Sequence, residues 1–127
     1  MPLLNNSAQT KFKVMKKIEA IIRPSKLKAV QLGLKEAGIP CNTVIPVKGS
    51  GLQKSYTERY RGTAQSMILQ TRIMLICVVS DDNLEIAIEV ILDNASENLV
   101  GDGKIFVYPV EDAIRIRTKT RGIEAIK

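Results

Sequence analysis

Apolar and polar residues alternate from Lys16 to Arg23, with Ile18, Ala20 and Ile22 on one side, a pattern that predicts a strand. Pro24 and Ser25 then open a helix, with Ser25 placed as its N-cap. Leu27, Val30 and Leu34 recur at helical spacing, and Gly38 stops the helix. Thr43 to Val47 is extended again, Pro46 marking an edge or a bend. From Lys48 to about Gln70 neither period holds, and glycines and serines punctuate a mostly cationic stretch; a loop this long in a compact domain is usually functional or disordered. Thr71 to Val79 is nearly all apolar, as a central buried strand is. Asp81 and Asp82 begin a second helix, with Glu85 three residues after Asp82 as in a capping box, and Leu84, Ala87, Ile88, Ile91, Leu92 and Ala95 form its apolar stripe. Gly101 and Gly103 break the chain before a strand at Ile105–Val107. Ala113 to Thr118 alternates once more, as a short last strand.

This order predicts an α+β fold, a ferredoxin-like βαββαβ domain with both helices on one face of the sheet. The other face needs a cover, which a second copy of the chain can supply. The expected layout is an arm at residues 1–14 and one domain at 15–127. Within the domain lie a long loop at about 48–70, a glycine-rich turn at about 97–104 and a C-terminal segment at about 119–127.

Composition narrows the chemistry. The 127 residues include 45% hydrophobic and 25% charged, a globular profile, and no apolar run approaches the length of a membrane span. With no histidine, and with Cys41 and Cys77 far apart, a zinc site or a histidine base is out of reach; both cysteines are expected as buried, reduced thiols. A net charge of +6 points to an anionic partner; aromatics are only 4%, leaving nucleic acid few stacking platforms, and a small phosphorylated ligand explains the charge equally well.

Asn98 to Lys104 reads N-L-V-G-D-G-K. Glycines there let backbone amides approach a ligand, and Lys104 supplies a charge suited to phosphate; a plain glycine turn with a solvated lysine is the alternative. Arg115 and Arg117, two residues apart on an expected strand, would project together, and joined with Lys104 they favour a phosphate site. In the long loop, Lys48, Lys54, Arg59, Arg61 and Arg72 outweigh the single acid Glu58, while Tyr56 and Tyr60 suit an interface and Gln53 could orient an anion.

These residues resemble the PII family of nitrogen-regulatory signal proteins. The motifs are M-K-K-I-E-A-I-I-R-P at Met15–Pro24, V-K-G-S-G-L-Q-K at Val47–Lys54, T-E-R-Y-R-G at Thr57–Gly62 and G-D-G-K-I-F-V-Y-P-V-E-D-A-I-R-I-R-T at Gly101–Thr118. The resemblance implies a homotrimer that binds ATP or ADP in clefts between subunits. It implies a regulator rather than an enzyme, in the cytoplasm or the plastid stroma. Its long loop, the T-loop, would dock on an ammonium transporter, a metabolic enzyme or a transcriptional co-regulator, with neither direct nucleic-acid binding nor membrane insertion. Gly101, Asp102, Gly103 and Lys104 would hold phosphates together with Arg115 and Arg117. Thr43 and the backbone of Gly49, Gly51 and Leu52 would line the adenine side. Gln53 would meet Mg2+ and 2-oxoglutarate, with Arg72 and Gly101 as further effector contacts.

Several positions depart from the family pattern. Gln65 replaces the tyrosine that is uridylylated, Thr63 offers a hydroxyl where some relatives carry a phosphorylated serine, and Arg72 replaces a lysine. Ser50, Leu52 and Ser55 also differ. Glu97-Asn98-Leu99-Val100 replaces T-G-x-x, bringing an acid close to the expected phosphates. Met74 and Ile76 take the place of a Lys/Glu pair. A protein-docking module with altered effector sensing is therefore the alternative reading.

Overall fold

A computed structural model of the chain describes residues 14–53 and 66–127. Its elements are β1 (Met15–Ile22), α1 (Leu27–Glu36), β2 (Thr43–Gln53), β3 (Ser66–Ser80), α2 (Asp81–Ala95) and β4 (Lys104–Val110). The four strands form one antiparallel sheet in the order β2-β3-β1-β4, the ferredoxin-like arrangement that the periodicities predict. Alternation in β1 sends Ile18, Ala20 and Ile22 to the helical side. There they pack with Leu75, Cys77 and Val79 of β3, Val30 and Leu34 of α1, and Ala87, Ile91 and Ala95 of α2.

The first helix begins differently from expectation, and the second begins at Asp81 as expected but without the capping box. Pro24–Lys26 forms a 3-10 turn, so α1 starts at Leu27 and Ser25 does not cap it. The proline fixes φ at the start of that tighter turn and places Ser25 inside it. The second helix starts at Asp81 behind Ser80, whose side chain makes no cap hydrogen bond, so Asp82 lies inside the first turn rather than at a capping box. Gly38 does end α1, at φ +85°, with Ile39 N–H donating to Leu34 O at 2.8 Å.

The expected loop is shorter than its composition suggests. Pairing of β2 with β3 continues from Thr43↔Ile76 to Gln53↔Ser66, so Lys48–Gln53 and Ser66–Gln70 are strand. Gly49, Ser50 and Gly51 carry no apolar alternation, yet backbone pairing needs none. Lys54, Ser55, Tyr56, Glu58, Arg59, Tyr60, Arg61, Thr63 and Gln65 fall outside the described residues, as does the arm before Val14.

The expected last strand at 113–118 is also corrected. Only an isolated bridge, Ile114↔Arg121, forms there, and the chain folds back through Arg115 N–H to Thr120 O at 2.9 Å and Gly122 N–H to Ala113 O at 2.9 Å. The apolar half of its alternation is not buried by the described residues, Ile116 remaining 93% exposed. Cys41, expected to be buried, is exposed, because the turn after α1 leaves it at the surface.

The face of the sheet away from the helices stays uncovered by the described residues. Cross-strand rows place Phe106, Glu19, Ile76 and Thr43 together on it, and beside them Lys104, Ile21, Met74 and Ile45. On the same face Tyr108 Oη donates to Glu19 at 3.0 Å, and Lys17 Nζ lies 2.9 Å from the same carboxylate.

Candidate functional site

The Gly101–Lys104 turn sits where β4 begins, directly beside the end of β1, since Lys104 pairs with Ile21. That close approach explains Gly103. It takes φ +112°, and a Cβ built on it would lie 1.7 Å from the carbonyl oxygen of Ile21. Only a residue without a side chain fits between the turn and the strand. Gly101 at φ +95° is held from behind by two arginines, whose Nη2 atoms would each lie 3.2 Å from a Cβ there.

Those arginines come from separate parts of the sheet. Arg23, just after β1, donates from Nη2 to Val100 O at 2.9 Å and from Nε to Asp102 Oδ1 at 3.3 Å. Arg72 of β3 donates from Nη2 to Gly101 O at 3.2 Å and to Gln70 Oε1 at 2.5 Å, and from Nη1 to Thr71 O at 2.9 Å. Arg72 thereby ties the stem of the long loop to the glycine turn.

Asp102 faces inward rather than toward a ligand. Its carboxylate accepts from the amides of Glu97 at 2.9 Å and Leu99 at 3.2 Å, and from Ser96 Oγ at 3.2 Å. The Glu97 amide, then that of Leu99, Arg23 and Ser96, hold the carboxyl below the usual aspartate range against an opposing desolvation. Asp102 is thus the internal brace of the 97–102 loop. Asn98, at φ +57°, lets the loop close on it. Glu97, the acid expected to disturb a phosphate, is drawn to Lys26 Nζ at 2.9 Å.

The turn opens onto a cleft of about 370 Å3. It is lined by Gly49, Ser50 and Gly51 of β2, by Gln70 and Arg72 of β3, by the run from Leu99 to Lys104, and by Ile21 and Phe106. The structure thus gathers seven expected residues, Gly49, Gly51, Arg72, Gly101, Asp102, Gly103 and Lys104, around one cavity. Leu52 and Gln53 lie next to it along β2, paired with Met67 and Ser66. Lys104 makes no ion pair with any described residue, so its ammonium is free for an anion.

Three expected residues lie elsewhere. Thr43 stands opposite Ile76, ten residues along β2 from Gln53. Arg115 donates to Lys127 O at 2.6 Å and Glu124 O at 3.3 Å, and Arg117 is exposed on the turn. The segment that Arg115 grips packs beside Val79 and Ser80, the end of the sheet remote from Lys104, about 20 Å away along an extended strand. Within one chain, the arginine pair and Lys104 do not converge. The residues that sequence reasoning missed are Arg23 and Lys26. Their roles follow from the sheet order, which brings the end of β1 against the glycine turn, and an Arg-Pro strand end gives no separate signal of this.

A family-wide sequence profile described as nitrogen regulatory protein P-II matches residues 15–120. The chain is 46% identical over 112 residues to the nitrogen regulatory protein P-II of Cereibacter sphaeroides, covering 88% of this chain and 100% of that one. To the protein of that name from Porphyra purpurea it is 49% identical over 104 residues, covering 82% and 93%. Among solved structures, a B. subtilis GlnK–ATP complex superposes with a TM-score of 0.74 at 30% identity, over 88% of this chain and 97% of that one. Arabidopsis thaliana PII bound to citrate superposes with 0.73 at 34% identity, over 89% and 90%. The chain belongs to the nitrogen regulatory protein P-II family, whose members are regulatory proteins rather than enzymes.

Proposed function

We propose that this protein is a trimeric, nucleotide-sensing regulator that binds ATP or ADP in the cleft at Gly101–Lys104 and reports the outcome through the loop that β2 and β3 carry. The observation behind this is the braced glycine turn. Gly103 is forced against Ile21, Gly101 is backed by Arg23 and Arg72, and Lys104 is left unpaired at the mouth of a cavity of about 370 Å3. A backbone fixed before the ligand arrives gives up little ordering entropy on binding, and glycine amides with one lysine suit a polyphosphate. Similarity to the B. subtilis GlnK–ATP complex supports the choice of ligand.

In this reading Arg115, Arg117 and Thr43 act on the cleft of a neighbouring copy. Exposed Ile114 and Ile116 and the uncovered sheet face supply apolar surface for that copy. Mg2+ would be held mainly by the nucleotide's own phosphates with the Gln53 side chain, since no cluster of three acidic, cysteine or histidine ligands exists among the described residues. The partner would be a nitrogen- or carbon-metabolism protein such as an ammonium transporter, a metabolic enzyme or a transcriptional co-regulator. The cytoplasm or the plastid stroma is the proposed location, and Thr63 a modification point on the loop.

One observation favours a narrower reading. The guanidinium of Arg72 already donates to Thr71 O, Gln70 Oε1 and Gly101 O, which leaves a distal carboxylate of 2-oxoglutarate only two of its five N–H groups. Nucleotide sensing without 2-oxoglutarate sensing follows, and ATP affinity unchanged by added 2-oxoglutarate is its signature.

Titration calorimetry with ATP, ADP and AMP tests the main reading. Lys104→Ala is expected to weaken ATP by about 10- to 100-fold, since charge-assisted hydrogen bonds contribute roughly 1.5–3 kcal/mol. Wild-type affinity in that variant would place the phosphates elsewhere.

A further inference from the structure

We propose that Lys26 and Glu97 form a charge-masking pair that sets how strongly the cleft prefers a triphosphate over a diphosphate, an inference that rests on the phosphate site proposed above. Two acids border the glycine turn, and each has its own cation. Arg23 Nε lies 3.3 Å from Asp102 Oδ1. Lys26 Nζ lies 2.9 Å from Glu97 Oε2, and Arg23 Nε also reaches within 3.9 Å of Glu97 Oε1. Arg23 precedes and Lys26 ends the 3-10 turn ahead of α1, so the acids of the loop are neutralised by a different element from the one that presents Lys104.

The charges that an incoming anion meets are thus sorted. Arg72 is held by neutral oxygens and Lys104 has no ion pair among the described residues, so both keep their full positive field. Asp102 and Glu97 are each compensated. Glu97 is also fixed in place, because its amide donates to Asp102 Oδ2 at 2.9 Å within the loop that bears the turn. Its carboxylate remains 39% exposed, so without Lys26 it would stand as an unmasked negative charge on the loop that bears the turn.

Repulsion from that charge grows with the charge of the ligand. ATP therefore loses more affinity than ADP, and ADP more than AMP. At the dielectric of bulk water and a separation of about 10 Å, one unmasked charge weakens a triphosphate by roughly fivefold at low salt, and the effect fades as the screening length shrinks. Lys26 and Glu97 are specificity-determining residues in this account and touch no phosphate themselves.

The test is calorimetry on the full chain with ATP, ADP and inorganic triphosphate, at low and high salt. The variants are Lys26→Met, which keeps the aliphatic stem, Glu97→Gln and the double substitution. Lys26→Met is expected to weaken ATP about fivefold at low salt and ADP less, with the difference closing at high salt. Adding Glu97→Gln is expected to restore ATP affinity, and Glu97→Gln alone to bind ATP at least as tightly as wild type. Equal losses for ATP and ADP, insensitive to salt and not restored by Glu97→Gln, would mark a purely structural contact and overturn the proposal. If wild type binds inorganic triphosphate but not ATP, the nucleotide reading fails while the pair is still judged on the inorganic probe. Binding of neither overturns both.

Discussion

Alanine at Gly103 is the sharpest perturbation of the glycine turn. The added Cβ would sit 1.7 Å from Ile21 O and 2.9 Å from the carbonyl carbon of that residue, and the residue would still have to hold φ +112°. Ile21 is paired on both sides, with Lys104 of β4 and Met74 of β3, so its carbonyl cannot retreat without disturbing the two strands beside it. Strain at such a φ costs about 1–3 kcal/mol. Relieving the clash also opens the first β4 pairing, where each lost backbone hydrogen bond is worth roughly 1 kcal/mol. A destabilisation of about 3–5 kcal/mol follows, which for a domain of this size lowers the melting temperature by roughly 10–20 °C. Thermal unfolding followed by circular dichroism at fixed protein concentration measures it. Two companion substitutions grade the effect. Gly101→Ala meets only the flexible ends of Arg23 and Arg72 but keeps a φ of +95°, so about 1–3 kcal/mol is expected. Gly51→Ala meets nothing within 4 Å and is expected to melt within about 2 °C of wild type. A Gly103→Ala protein with wild-type melting and wild-type nucleotide affinity would show that the turn does not press on β1 as described.

Further predictions concern acid and thiols. Since the folded state holds the Asp102 carboxyl below its ordinary range, its stabilisation is fully present above the unfolded pKa of about 3.9 and is lost as pH falls through the lower folded value. Acid titration of the melting temperature should therefore steepen below about pH 4, and Asp102→Asn should flatten that limb while weakening nucleotide at neutral pH. An unchanged limb in Asp102→Asn would remove the brace role. Burial pushes the Cys77 thiol up to about 11 while Cys41 is exposed, so a thiol reagent at neutral pH is expected to modify one cysteine per chain quickly and the second only after unfolding. Two fast thiols, or loss of the fast one in Cys77→Ser rather than Cys41→Ser, would contradict the burial pattern.

The strands and helices were legible because each buries one face and the period records it. Ile18, Ala20 and Ile22 mark β1 as plainly as Ala87, Ile91 and Ala95 mark α2. Elements without a buried side were not. Gly49 to Gln53 join β2 through backbone pairing, and no side-chain pattern announces that. Ile114, Arg115, Ile116 and Arg117 show the opposite failure, an alternation with no strand, because none of the described residues buries its apolar half. The site divides similarly. Gly101, Gly103 and Lys104, which their residue types single out as candidates, do line one cleft. Asp102 was readable as a member of the turn but not as its brace, since its direction depends on the amides of Glu97 and Leu99. Arg23 and Lys26 matter through the neighbours that sheet order gives them, and Lys26 turns Glu97 from an expected repulsion into a paired charge.

The most direct measurement is a crystal structure of the protein grown with saturating ATP. The account predicts triphosphate density against the backbone of Gly101–Lys104 within reach of Lys104 Nζ, with Arg115 and Arg117 of a neighbouring copy closing the other side. Ordered ATP bound away from this turn, or clear density for every copy with an empty groove at Gly101–Lys104, would contradict it.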